Sequence, residues 1–219
     1  MWINIQRSSK IIQTQKGITS SLWNIMRYKG ERYPLKKAEN CQKWVDWQLV
    51  RFQEEDYEQF KYPTELGLTH LPDLVRECGA VPELITGFVK STNIDLAHDN
   101  FTPNDKFIEF LHKTIKEHIH TVNEIEEFIP IASDTVDGEI VAITDDRKGY
   151  YITDTKDPMQ EIRTEDLIGN AALKGGKIIP ESWHPNKEYS ILSEDHGLCY
   201  FQPWLIAKLG ECTRIKYCE

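Results

Sequence analysis

Apolar positions along the chain repeat with two different periods, and the change falls near residue 128. At the start, Ile3 and Ile5 alternate with polar neighbours and Arg7-Ser-Ser-Lys10 separates them from Ile11-Ile12, which predicts a β-hairpin. Ser20 or Ser21 then caps a short helix carrying Leu22, Ile25 and Met26, and Gly30 stops it. From Lys36 to about Phe60, Cys41, Val45, Leu49 and Phe52 recur at three- and four-residue steps, with Trp44 and Trp47 widening the face. That spacing predicts the longest helix of the chain. Tyr62-Pro63, Gly67 and Leu71-Pro72 interrupt the pattern, so residues 61–80 read as a connector with one helical turn around Asp73–Glu77. Pro82 ahead of Leu84, Ile85, Phe88 and Val89 predicts a helix over 82–91. Thr102-Pro-Asn-Asp105 opens a further helix whose Phe107, Phe110, Leu111, Ile115 and Ile119 share one face.

Beyond residue 128 the period becomes two. Phe128–Ala132, Glu139–Thr144 and Tyr150–Thr153 are short β-rich runs, separated by turn-forming clusters at Asp137-Gly138 and Asp145–Gly149. They predict an antiparallel meander. Gly169, Gly175 and Gly176 mark a loop region, Tyr189–Leu192 and Leu198–Phe201 add candidate strands, Pro203–Gly210 reads as a short helix with a glycine stop, and Thr213–Tyr217 as a last edge strand. The expected class is α+β, with N-terminal helices packed against an antiparallel meander. Two regions are expected: 1–80, a hairpin and helical part that is either integrated or separate, and 81–219, an α+β domain with a C-terminal extension.

Composition narrows the function classes. The 219 residues carry 26 Lys+Arg against 35 Asp+Glu, a net charge of −9, with 40% hydrophobic residues. Mean hydropathy is −0.51. This suits a globular fold and disfavours disorder, membrane burial and a general nucleic-acid binder, which needs cations to displace the counterions on phosphate. The charge is uneven: residues 1–53 hold 10 cations and 3 anions, residues 54–139 hold 6 and 19, and the remainder 10 and 13. The first residues lack the apolar block of a secretory signal, and no apolar run reaches the length of a membrane span, so a cytoplasmic location is expected. Five widely spread cysteines, Cys41, Cys78, Cys199, Cys212 and Cys218, read as reduced thiols with no structural disulfide.

Within 81–170, Val81-Pro-Glu-Leu-Ile-Thr-Gly-Phe-Val-Lys-Ser-Thr-Asn93 resembles the opening helix of the SUKH superfamily, a proline–acid start followed by an aromatic and a closing Asn. Phe128–Asp134, Gly138–Ile143 and Gly149–Asp154 are similar to that family's central meander. Bacterial members are mostly immunity proteins that neutralise polymorphic toxins. The resemblance therefore implies a SUKH-like fold and binding to a cognate toxin, and it carries no shared catalytic residue.

Several residue sets bear on chemistry. His196 and Cys199 with Cys212 and Cys218 hold the residue types of a zinc site, but the spacing is wide for a zinc knuckle and buried thiols are the simpler account. His112, His118 and His120 near Glu117 and Glu124 read first as helix histidines. Asp195-His196 with Cys199 contains a nucleophile, base and orienter, although triads are assembled from separated segments. Asp145-Asp146, and Asp154 with Asp157, offer carboxylates for Mg²⁺ in a nuclease-like site, but turn chemistry explains them more simply. Lys29, Arg32, Lys36, Lys37, Lys43 and Arg51 offer a basic surface. No cofactor and no metal is expected.

The acidic set Asp134, Asp137, Glu139, Asp145 and Asp146 clusters around two hairpin turns, where side chains project to solvent. The expected function is an acidic protein-binding module that meets a cognate toxin or other basic protein. A hydrolase or nucleic-acid-processing enzyme with a His/Cys or carboxylate site stands as the alternative. Oligomeric state is not legible in the sequence.

Overall fold

The computed structural model describes residues 26–27, 48–52, 54–64, 66–90, 100–123, 125, 139–145, 150–154, 164–193 and 197–218. The expected hairpin at residues 3–12 and the strand at 128–132 lie outside them. The described chain combines helices with antiparallel sheets, as the pattern of periods predicts. No helix among the described residues is long and apolar enough to cross a membrane.

The first sheet runs β1 (Met26–Arg27), β2 (Gln48–Arg51), β3 (Leu66–Thr69), β4 (Gly87–Val89), β5 (Phe101–Pro103) in chain order, every pair antiparallel. Three expectations are corrected here. Met26 lies in a strand and not in a capped helix, and of the long helix expected over 36–60, residues 36–47 lie outside the described residues while the rest holds β2 followed by the short helix α1 (Glu54–Phe60). Leu49 and Val50 are adjacent and both buried, a pattern that fits helix and strand alike, and the ladders to β1 and β3 decide for the strand. In place of a helix over 82–91 stand a 3-10 turn, Pro82–Leu84, and strand β4. Ile85, Phe88 and Val89 are buried with Thr86 and Gly87 between them, so the stripe is a stretch of continuous burial, which periodicity alone does not distinguish from a helix. The segment that resembles the SUKH opening helix is this turn and strand.

The expected connector contains β3 and α2 (Pro72–Cys78). All four residues of β3 are buried, and β3 pairs with β4 across residue 80, with Leu66 opposite Val89. Gly67 has no room for a side chain, since a Cβ there would meet the Phe52 ring at 2.4 Å. Phe52 in turn stacks with Tyr62 at 4.2 Å between ring centres. Helix α3 (Asp105–His118) follows β5 and buries Phe107, Leu111, Thr114 and Ile115, one face as the spacing requires.

A second antiparallel sheet has the order β10-β8-β6-β7, from β6 (Glu139–Thr144), β7 (Tyr150–Asp154), β8 (Leu167–Lys174) and β10 (His184–Pro185), with β9 (Lys177–Ile178) paired to β8. Gly169, read as loop, is inside β8 beneath the Trp183 ring, and only Gly175 and Gly176 turn the chain, both at positive φ. The short pair β11 (Leu192–Ser193) and β12 (Gly197–Leu198) leads into α4 (Pro203–Tyr217). Gly210 does not end that helix. It lets α4 approach α2, where a Cβ would stand 3.3 Å from Leu74. The segment 213–217, expected as a strand, is the end of α4. One continuous apolar core includes Leu49 and Leu68 of the first sheet, Leu111 of α3, Val141 and Ile168 of the second sheet, and Leu209 of α4.

Candidate binding site

Strand β6 lies between β7 and β8, so its backbone is fixed on both sides. The β6–β7 register places Glu139 directly opposite Asp154 and Ile140 opposite Thr153. Two acids at directly opposed positions repel, at a cost of a few tenths to about 1 kcal/mol. Glu139 is half-buried at the first position of β6, and its Oε2 is shut off from water with no hydrogen-bond partner among the described residues. A carboxylate oxygen in that state lacks the donors it had in water, and a cation or an N–H group brought to it supplies them. The β6–β7 end thus places two acidic residues at one register position, with Glu139 Oε2 unpartnered among the described residues.

Asp145, at the other end of β6, has a different environment. Six residues of extended chain separate it from Glu139 by about 20 Å. Asp145 is buried, its N–H donates to the Asp166 carbonyl at 3.0 Å, and its carbonyl accepts from the Tyr200 N–H at 3.1 Å. Burial, reinforced by the charges of the neighbours, pushes the Tyr189 hydroxyl well above its ordinary range, and burial together with Asp145 does the same to the Cys199 thiol. The expectation that this turn projects Asp145 into solvent is therefore corrected: Asp145 is buried, and its backbone is held by Asp166 and Tyr200. Asp134, Asp137 and Asp146 lie outside the described residues.

The other candidate sets are dispersed. Cys199 is buried, Cys212 is half-buried on α4, and Cys218 forms a disulfide with Cys78, so the thiols weighed as zinc ligands do not converge. His196 and Cys41 lie outside the described residues. Among the described residues no group of three or more His, Cys, Asp or Glu side chains is placed to hold a metal ion. The disulfide also corrects the expectation of five reduced thiols. The fold brings the ends of α2 and α4 together across 140 residues of sequence, a proximity that cysteine spacing does not encode.

One contact unseen in the sequence joins α3 to α4: Cys212 Sγ lies 3.4 Å from His118 Nε2. Burial pushes that thiol up, and Glu117 and Glu211 push it further, so at neutral pH it is protonated and a poor nucleophile. His112 packs 6.1 Å from the Trp183 ring, and its burial lowers its proton affinity. His120 is exposed and lines an open groove with Lys113, Lys116, Glu117, Pro180 and Glu181. Of the expected basic surface only Arg51 is described, and it is half-buried in β2. No family model, curated protein or solved structure matches the chain.

Proposed function

We propose that this chain is an acidic protein-binding module whose β6–β7 end receives a cationic group of a basic partner, and that it acts in the cytoplasm as an immunity protein, neutralising a cognate toxin by stoichiometric binding. The observation that carries this reading is Glu139, a half-buried carboxylate opposite Asp154 whose Oε2 has no hydrogen-bond partner among the described residues. A site that is electrostatically unfavourable in the free protein becomes favourable once a Lys or Arg enters it. The −9 charge adds long-range attraction for a basic partner and speeds encounter. Asp134 and Asp137, close to Glu139 in sequence, extend the acidic character of the same stretch.

The test is to purify the chain with the product of the reading frame adjacent to its gene and measure stoichiometry by light scattering and affinity at two salt concentrations. A one-to-one complex that weakens with salt, and that is lost on replacing Glu139 and Asp154 together by Lys, is expected. Absence of a complex, or binding indifferent to that reversal, overturns the reading. A hydrolase using Cys212 and His118 draws only on their 3.4 Å contact, and the raised thiol opposes it.

A further inference from the structure

The last turn of α4 buries nothing. Leu205, Leu209, Gly210 and Thr213 face the core, whereas residues 214–218 are all exposed, Ile215 at 58%. Burial therefore does not hold this turn, and propensity alone does not keep one exposed terminal turn docked. Polar and covalent cross-links do so. Arg214 Nε donates to Glu77 Oε2 of α2 at 3.2 Å, Lys216 pairs with Glu83 Oε1, Tyr217 donates its hydroxyl to Glu83 Oε2 at 2.7 Å, and Cys218 is bonded to Cys78. The Arg214–Glu77 pair is exposed on both sides and contributes little against fraying, whereas the Glu83 side chain, 13% exposed, accepts from both Lys216 and Tyr217. The disulfide is the covalent tie among these contacts.

We infer that Cys78–Cys218 is a redox-sensitive clasp: oxidised, it docks residues 214–218 on α2 and the Pro82–Leu84 turn, and reduced, it releases that turn while the rest of α4 stays packed. Cys218 is exposed and Cys78 half-buried, so a thiolate reaches the bond without prior unfolding. Two electrons and two protons from a dithiol convert the S–S bond into two thiols, and the dithiol leaves as a cyclic disulfide. Release also removes the cations Arg214 and Lys216 from Glu77 and Glu83, which adds two uncompensated carboxylates to an already acidic region. The interior of α4 has its own anchors in Leu205 and Leu209, both buried against the core, so the boundary between released and retained helix falls near Thr213.

The experiment compares the full-length chain oxidised, the same chain reduced with dithiothreitol, and the Cys78→Ser variant, following amide hydrogen exchange by mass spectrometry. Thiol alkylation is counted in parallel. The expected result is two more alkylated thiols after reduction, with exchange in residues 214–218 faster by about tenfold or more in the reduced chain and the variant, and unchanged exchange over 205–212. Two outcomes overturn the clasp. Unchanged exchange at 214–218 after reduction means that the ion pairs suffice, and faster exchange throughout α4 means that the disulfide is a global staple. Failure of the oxidised chain to protect the two thiols refutes the bond itself.

Discussion

The side-chain amide of Asn104 donates to the carbonyl oxygen of Ile85 at 2.6 Å, tying the start of α3 to the end of the turn that precedes β4. The same amide reaches the Pro82 carbonyl at 2.9 Å, and Oδ1 accepts the Lys106 N–H at 3.2 Å as the helix cap. Asn104 is buried, so three hydrogen bonds form without competition from water. Asn104→Asp keeps the cap acceptor for the Lys106 N–H but turns its second carboxylate oxygen on two carbonyls, leaving that oxygen without a donor in a buried place. A loss of about 3 kcal/mol in urea unfolding is expected, against about 1 kcal/mol for a lost cap alone. A loss near the smaller figure means that the two carbonyls find other donors.

His70 gives the fold a pH limit. Its ring is buried between Phe107 and Phe201, with centroids 5.5 and 4.7 Å away, and Nδ1 stands 3.2 Å from Thr86 Oγ1. Burial lowers its pKa to about 3. The unfolded chain binds a proton below about pH 6.5 that the folded chain refuses, so stability is lost as pH falls from there toward 3. Around pH 5 this single group accounts for about 2 kcal/mol. Urea unfolding of His70→Asn measured at pH 7 and at pH 5 should show a smaller difference than the native chain. An equal difference in the two proteins removes His70 as the cause.

Gly169→Ala tests the packing of the second sheet. The added Cβ would lie 2.6 Å from Trp183 Cζ2 and 2.7 Å from the His184 carbonyl oxygen, and the second of these is backbone of the paired strand β10. A side chain swings aside more easily than a ladder, so β10 must shift. A destabilisation of about 2 kcal/mol, with altered near-ultraviolet signal from Trp183, is expected. A variant as stable as the parent would show that β10 is loosely held.

The pattern of apolar spacing located α3 and β6 well, because each has a single buried face or a clean strand bounded by turn residues. It failed where burial is all-round. In Gln48–Arg51 and Ile85–Val89, consecutive apolar residues fit helix and strand templates equally, and pairing with distant strands decides between them. Gly169 and Gly210 misled for a related reason: both glycines are present to admit a neighbour, Trp183 in one case and Leu74 in the other, and a sequence does not distinguish a glycine that makes room from one that makes a turn. At the candidate site, Glu139 was legible as part of an acidic cluster. Its opposition to Asp154 was not, since cross-strand register depends on the whole hairpin. The inward placement of Asp145, the Cys78–Cys218 bond and the His118–Cys212 contact likewise arise from tertiary packing across long separations.

The opposition of Glu139 and Asp154 predicts a trade between stability and binding. Removing one of two acidic groups at opposed register positions relieves their repulsion, and at Glu139 Oε2 it costs no hydrogen bond among the described residues. Glu139→Gln should therefore stabilise the free chain, by about 0.5 kcal/mol. The gain should shrink as salt is raised, because Glu139 is only half-buried and its charge is screened. Asp154→Asn should give a similar gain, and the double variant little more than either single one, since one repulsion is removed only once. Affinity for a basic partner should move in the opposite direction, as the same charges are then missing where a cation is received. Urea unfolding of the four proteins at low and high salt measures the first part, and titration with the partner the second. A Glu139→Gln variant that is less stable than the parent at every salt concentration would show that the carboxylate is already satisfied in the free protein, and the acidic end of β6–β7 would lose its claim as a binding site.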